Sequence, residues 1–469
     1  MKILTRIVVA AALMLPATVR AEMSDIARKI AVQRACQAAI WMSGAVETWD
    51  IAQGIINDLD GKVGDVVQLS QPMTSKHGFL TANDVTPYTI AALTTVDGPL
   101  VVEVPPATDK INIFGTFVDG WMRPLADVGE AGTDEGKGGK YLFLPAGYEG
   151  DVPESGYYVF PMESYSVNFA FRPVHSGDGT LEDSVEHMLD NLRVYPLAQA
   201  ENPPETTFLD ASGRVWDTLP YYDETYFQDI WNIVQNEPIR ERDKSMYGML
   251  KAIGIEKGQH FDTSPEWTSI YIEGAQCAFE YLQDLFFTPG ALLAPFYDDE
   301  NRWQVFNIPQ DQAKIAFPFE DDGIPLIDLR AQNYFFLTYL PVILGGNTFY
   351  LSALLDADGE ILNGADTYRL NVSADTPAKD FWSVNTYSNV SKGFIRDAER
   401  VGISSRDLDM LQVNADVSVD VYFGPKAPDG LESNWIPTGE NWFAIFRFYG
   451  PEAPVFDKSF VLPNIEKVE

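Results

Sequence analysis

Residues 349–370 read FYLSALLDADGEILNGADTYRL, and the way this stretch is punctuated decides the fold class of the segment around it. Its two ends belong to the runs Thr348–Leu355 and Thr367–Val372, rich in the aromatic and branched side chains that suit a pleated surface. Between them stand Asp358-Gly359 and Asn363-Gly364, pairs that reach the positive φ angles of tight hairpins. The stretch is therefore predicted as paired strands, not helix. Moving toward the C-terminus, the runs Phe381–Tyr387, Val417–Phe423 and Trp442–Tyr449 repeat this texture, separated by Pro428-Asp429-Gly430 and Gly450-Pro451. Aromatic residues fall on both faces of these runs, which predicts strands buried between two sheets and a jelly-roll-like sandwich over residues 331–469.

Toward the N-terminus the texture alternates. Residues 291–330 hold two acidic turns, YDDENR and FEDDGIP, and read as a solvated connection. Residues 181–290 carry a helical period. In Glu266–Phe287, Trp267, Ile270, Gly274, Cys277, Ala278, Tyr281, Leu285 and Phe286 share one stripe behind the helix start Ser264-Pro265-Glu266. A second helix fits Ile239–Ile253. Over residues 65–180 the runs Thr89–Thr95, Leu100–Val104, Ile111–Val118, Lys140–Leu144 and Tyr157–Pro161 recur at the spacing of an antiparallel β-sandwich. Residues 22–64 are predicted as an N-terminal helical segment, with Ser24 as cap and Ile26, Ile30, Cys36, Ile40 and Trp41 near one face. The expected fold is mainly β with an inserted helical domain.

The 469-residue chain has 68 Asp and Glu against 33 Lys and Arg, a formal charge of −35. That balance excludes a phosphate-gripping nucleic-acid binder, which needs clustered bases, and disfavours anionic lipid surfaces. Residues 1–21 place Lys2 and Arg6 before an apolar run, Ile7–Leu15, and a small-residue site ending at Ala21. This is the pattern of a bacterial secretory signal peptide, so a periplasmic or secreted product is expected, with no membrane insertion after the signal is removed. Its removal takes away three bases and leaves 30 bases against 68 acids, a formal charge of −38. Cys36 and Cys277 either close one long disulfide in an oxidising compartment or remain buried thiols. Together with four scattered histidines they offer no zinc spacing, and neither metal nor cofactor is expected.

Several separate stretches resemble one two-part family. FYLSALLDADGEILNGADTYRL, FWSVNTYS, VNADVSVDVYFGP, SNWIPTG and FRFYGPE are similar to the C-terminal domain of unknown function 1214. TANDVTPYTIAALTTVDGPLVVEVPP and GGKYLFLPAGYEGDVPESGYYVF resemble its usual N-terminal partner, domain of unknown function 1254, and KSMYGMLKAIGIEKGQHFDTSPE resembles the segment joining the two. The resemblance implies an immunoglobulin-like β-sandwich, a helical middle and a C-terminal jelly-roll-like sandwich in an exported protein. Some relatives are associated with polysaccharide breakdown, so it also implies a carbohydrate role by analogy. The chain departs from the family pattern at Asn83-Asp84-Val85, where the carboxylate is displaced by one residue, and at Tyr387-Ser388, where relatives often have Tyr-Asp.

Signatures of an activated nucleophile are missing: neither G-x-S-x-G nor H-E-x-x-H occurs. A lyase would need a base and a proton donor near a group that neutralises a substrate carboxylate, and Tyr88, Arg172, His175, Tyr387 and Arg447 are of those types. Arg447 interrupts the apolar run Phe443–Tyr449, where it either faces solvent or pairs with a buried acid. Asn83, Asp84, Thr86 and Tyr88 form a polar turn whose side chains bond their own backbone or a ligand. Trp435, beside Asn434, could stack a sugar ring or fill core. Asp356 to Glu360 supplies oxygen ligands but lacks the glycine of a calcium loop. The expected function is binding, or degradation, of an oligosaccharide or another small polar ligand at a domain interface. The alternative is a non-catalytic structural or interaction module of the cell envelope.

Overall fold

Helix α1, Asp25–Asn57, is the longest element, and its side chains explain its central place. The Ser24 hydroxyl accepts the Ala27 N–H at 3.3 Å and so caps the first turn. Beyond that turn Ala35, Ala38, Ala39, Trp41, Met42 and Ala45 are all buried. The small residues let neighbouring helices come close. The computed structural model describes residues 23–306, 319–342 and 348–468, so the leader expected at residues 1–21 lies outside the described residues. Six further helices follow: α2 (Leu181–Asn191), α3 (Tyr226–Asn236), α4 (Lys244–Ala252), α5 (Pro265–Phe287), α6 (Ile327–Tyr334) and α7 (Ala453–Phe456). Helix α1 packs on α3, α4, α5 and α6. Its seam with α5 is closed by the disulfide Cys36–Cys277, whose Cα atoms lie 5.5 Å apart. Of the two readings open in the sequence, the structure takes the disulfide.

Two pairs of sheets flank this bundle. In the first, a six-stranded sheet runs Phe208–Leu209, Val66–Gln68, Thr89–Thr94, Ser166–His175, Ile111–Asp119, Pro124–Val128. It faces a four-stranded sheet of Arg193–Pro196, Leu100–Val104, Gly139–Leu144 and Tyr158–Pro161. Phe117, Tyr141, Phe143, Phe169 and Phe171 fill the space between. In the second, a six-stranded sheet runs Leu293–Pro295, Trp303–Phe306, Thr348–Ala353, Trp442–Pro451, Ala378–Ser388, Gly402–Ser404. Its partner is a four-stranded sheet of Trp435–Pro437, Val419–Gly424, Thr367–Val372 and Glu466–Val468, over a core that includes Trp382, Phe423, Phe446 and Phe448.

A third core joins everything. It contains the apolar stripes of the helices together with the outer faces of both six-stranded sheets: Ile90 and Ala170 from the first, Tyr387, Phe443 and Ile445 from the second. Strands place successive side chains on opposite faces, so each large sheet serves two cores at once. The expected fold, mainly β with an inserted helical domain, is thereby corrected to a mixed α/β protein. Helix makes up 26% and strand 28%, and the helices at the N-terminus and in the middle of the chain form one bundle. The reason is burial: the apolar stripes of α1 and α5 cover each other and are completed by α3, α4 and α6. Among the described residues no helix is long and apolar enough to cross a membrane.

Candidate ligand site between the two sheet domains

The turn before strand Thr89–Thr94 meets the outer face of the C-terminal six-stranded sheet, and most of the singled-out residues converge there. On strand Trp442–Pro451, Phe446 and Phe448 point into the sandwich core, so the alternation sends Arg447 and Tyr449 to the other face. Arg447 is 2% exposed. It faces neither solvent nor a partner acid, which corrects both readings of it from sequence. Its Nη2 donates to the carbonyls of Thr81 at 3.0 Å and Ala82 at 3.3 Å, and its Nη1 donates to Asn385 Oδ1 at 2.8 Å. Asn385 Nδ2 in turn donates to Asp84 Oδ1 at 2.7 Å, so this amide bridges the guanidinium and the carboxylate. The Tyr387 hydroxyl, fully buried, donates to Ala82 O at 2.5 Å.

Asn83 does double duty. Its Oδ1 accepts the Val85 N–H at 2.8 Å, closing the turn, and its Nδ2 donates to the Tyr449 hydroxyl at 2.6 Å. Thr86 is buried in the same turn, and its hydroxyl has no partner among the described residues. Arg172 comes from strand Ser166–His175, on the face opposite Phe171. Its guanidinium lies over the Tyr88 ring, 5.1 Å from the centroid, and its Nη1 donates to the Tyr350 hydroxyl at 3.2 Å. Arg447 lies over the other side of that nest, 5.1 Å from the Tyr350 ring centre. Two cations from opposite domains thus flank one phenol.

The electrostatics follow from this placement. Burial pushes the Tyr350 phenol up, but Arg172 and Arg447 outweigh it and bring the group down to about 8. Burial works against the charge of Arg172 and Arg447, yet the surrounding phenols hold both above the ordinary arginine range. Tyr88, Tyr387 and Tyr449 are raised, chiefly by burial. Asp84 is also raised by burial, with its Asn385 hydrogen bond and Arg447 opposing the shift.

Outside this nest lies a cavity of about 320 Å³, walled by Asp84 from the first domain and by Arg400, Ser404, Arg406 and Asp407 from the second. Arg406 stacks on Phe381 at 3.8 Å, and Phe381 stacks on Tyr449 with centroids 3.9 Å apart, so cavity and nest share a wall. Arg400 donates to the Ser433 and Trp435 carbonyls. Among the described residues none of Arg172, Arg400, Arg406 and Arg447 forms an ion pair with a carboxylate, although the chain carries two acids for every base. A hollow of about 410 Å³ on the second domain's smaller sheet differs in this respect: its Arg369 pairs with Glu466 at 3.0 Å and its Lys426 with Asp429 at 3.7 Å. No three His, Cys, Asp or Glu side chains among the described residues are grouped so as to hold a metal ion.

Asn83, Asp84, Thr86, Tyr88, Arg172, Tyr387 and Arg447 are therefore brought into one neighbourhood. Trp435 is not: it lies in the smaller C-terminal sheet with its indole N–H donated to Gly424 O at 2.9 Å. His175 sits at the end of its strand, three residues past Arg172, where burial first and then the charge of Arg406 lower its imidazole. Sequence reasoning missed Tyr350, Asn385, Tyr449, Arg400 and Arg406. The first three had a readable signal: Tyr449 and Asn385 lie two residues from Arg447 and Tyr387, and Tyr350 pairs with Arg447 across the ladder. Arg400 and Arg406 had none, since they reach the cavity from a loop and a single turn of 3-10 helix.

Comparison with known proteins bears on architecture and family. The crystal structure of the VPA0106 protein from Vibrio parahaemolyticus is similar over 94% of this chain and 100% of its own, at 19% identity and a TM-score of 0.54, which shows a shared fold. An uncharacterised protein from Burkholderia cenocepacia matches 94% of this chain and 95% of its own at 12% identity, with a TM-score of 0.38. No curated protein matches the chain. The family model described as "Protein of unknown function (DUF1254)" matches residues 63–196, and that described as "Protein of unknown function (DUF1214)" matches residues 347–453. With the first domain N-terminal to the second, and with the candidate site built where the two meet, the chain belongs to the two-part family that carries DUF1254 and DUF1214 in this order.

Proposed function

We propose that the cleft between the two sheet domains binds a small organic anion. One observation carries this reading: two guanidiniums, Arg400 and Arg406, line the cleft, with Arg172 and Arg447 in the nest behind it, and none of the four is ion-paired among the described residues of a strongly acidic protein. A buried or half-buried guanidinium without a carboxylate is costly unless another acceptor or an incoming anion meets it. Arg is also suited to a carboxylate because its planar fork donates two parallel hydrogen bonds. The reading keeps the small polar ligand expected from sequence and narrows it to an acid. It is a reading of binding rather than turnover, because Tyr387 and Arg447 are closed off behind Asp84 and Asn385 and act as the clasp between domains.

Export belongs to the same proposal. It is supported by the leader pattern of residues 1–21 and by a disulfide, which persists in oxidising compartments. We also assign the two sheet pairs to the immunoglobulin-like and jelly-roll-like classes, on the strength of their two-layer packing. Titration calorimetry of the purified protein with small organic acids and their matched amides tests the ligand reading. Acids are expected to bind and amides not, and the double variant Arg400→Gln, Arg406→Gln is expected to weaken the acids at least tenfold. Equal binding of acids and amides, or no binding by either, would return the protein to the alternative class, a non-catalytic interaction module.

A further inference from the structure

Resting on the anion-binding reading, we propose that the acid taken by this cleft is an amphipathic monocarboxylate with an aliphatic body, not an acidic sugar. The chemistry of the walls points there. Besides Arg400 and Arg406 the cavity is lined by Pro72, Val85, Ile403, Met410 and Leu411, apolar residues from both domains, of which Ile403 and Leu411 are buried in the second sandwich core. None of the lining residues is aromatic, so the flat ring that an apolar sugar face stacks on is missing.

The remaining polar groups of the wall are partly committed to local structure. Ser404 Oγ accepts the Arg406 N–H at 3.1 Å, Asp407 Oδ2 accepts the Ser404 N–H at 3.0 Å, and Asp84 Oδ1 accepts from Asn385. Arg406 differs: its guanidinium is fixed on Phe381 and makes no hydrogen bond among the described residues, so its donors are available to a carboxylate.

The apolar wall is equally unfinished. Met410 is 66% exposed at the rim, although it belongs to the residue type that best moulds itself to varied apolar shapes. A hydrocarbon chain laid along Met410, Val85 and Pro72 would cover surface now in water while its carboxylate reached Arg406 and Arg400. The volume of about 320 Å³ is at the small end for ligand pockets, which limits the occupant to a short or medium chain.

A calorimetric series of straight-chain alkanoates from butanoate to dodecanoate tests this, with hexanol, octanol, glucuronate and a galacturonate oligomer beside it. Affinity is expected to rise about fourfold for each added methylene until the cavity is full, and then to level off. The alcohols are expected to bind at least tenfold more weakly than the acids. Arg406→Gln should lower the affinity of every acid about tenfold and leave the methylene step unchanged, whereas Met410→Asp should flatten the step. Both side chains are exposed, so the fold is expected to survive either change, as a matching melting temperature would confirm. Binding of the uronates with no chain-length step among the alkanoates would overturn the aliphatic class and leave the anion reading standing. No binding by any acid would remove the anion reading itself.

Discussion

Tyr350 shows how far a single residue can be read only after its neighbours are placed. Its hydroxyl receives a hydrogen bond from Arg172 while Arg447 faces its ring, and the two charges bring it down to about 8. Absorbance at the tyrosinate band should therefore rise near pH 8 in the native protein, ahead of the other tyrosines, and this early step should vanish in Tyr350→Phe. The sign for stability follows. A phenol depressed from 10 to about 8 contributes nothing below pH 8, and its contribution grows between pH 8 and pH 10. Asp229 runs the other way. Burial raises it to about 6, even though its Oδ1 accepts from the Trp49 indole at 3.0 Å. Its cost is absent below the unfolded value near 4, develops as pH rises through about 6, and is fully present at neutral pH. Asp229→Asn should stabilise the protein at pH 7 by about 2 kcal/mol, allowing for solvent at its exposed edge, and should have little effect near pH 4 in chemical denaturation.

The helix pair α1 and α5 is the element on which the bundle depends. A Cβ added at Gly274 would stand 2.3 Å from the Ala35 Cβ, with the Ala35 backbone close behind. Alanine gains about 1 kcal/mol in helix propensity but costs up to about 3 kcal/mol in overpacking, so Gly274→Ala should destabilise by about 2 kcal/mol in urea unfolding. A larger side chain should cost more. One turn further along α5, Cys277 reaches Cys36 over a sequence separation of 241 residues. Closing so long a loop restricts the unfolded chain strongly, and reduction should cost up to about 5 kcal/mol, read as a drop in melting temperature with a phosphine reductant. If both changes left the melting curve unmoved, this seam would not be what ties the bundle. The sequence carried the stripe on α5, including Gly274 and Cys277, and the capped start of α1, because helical period and capping are local. That the two stripes meet was open in the sequence only as one of two readings of Cys36 and Cys277, because pairing between distant helices is not written in a local period.

At the scale of the whole molecule the helical core joins both sheet domains, and Arg447 is the buried polar clasp within that junction. Arg447→Met would leave the Thr81 carbonyl and the Asn385 amide oxygen short of a donor inside the interface, while the Ala82 carbonyl keeps the Tyr387 hydroxyl. A loss of about 3 kcal/mol is expected, together with a second transition in calorimetric unfolding as the sandwiches uncouple. A single sharp transition at the parent temperature would show that the apolar core alone couples the domains. Much of this molecule was legible in its sequence. Alternation placed Arg447 among apolar neighbours, and turn chemistry marked the Asn83–Tyr88 loop. Local period and composition determine which residues form strands and helices, and which lie on one face together. They do not determine what that face meets. Whether Arg447 turned to water, to an acid or to another domain was settled by a contact with Thr81 across 366 residues, and the share of helix in the core by the docking of α1 against chain far downstream. Only the tertiary structure decides such meetings, because they depend on the joint burial of three apolar surfaces and not on any spacing along the chain.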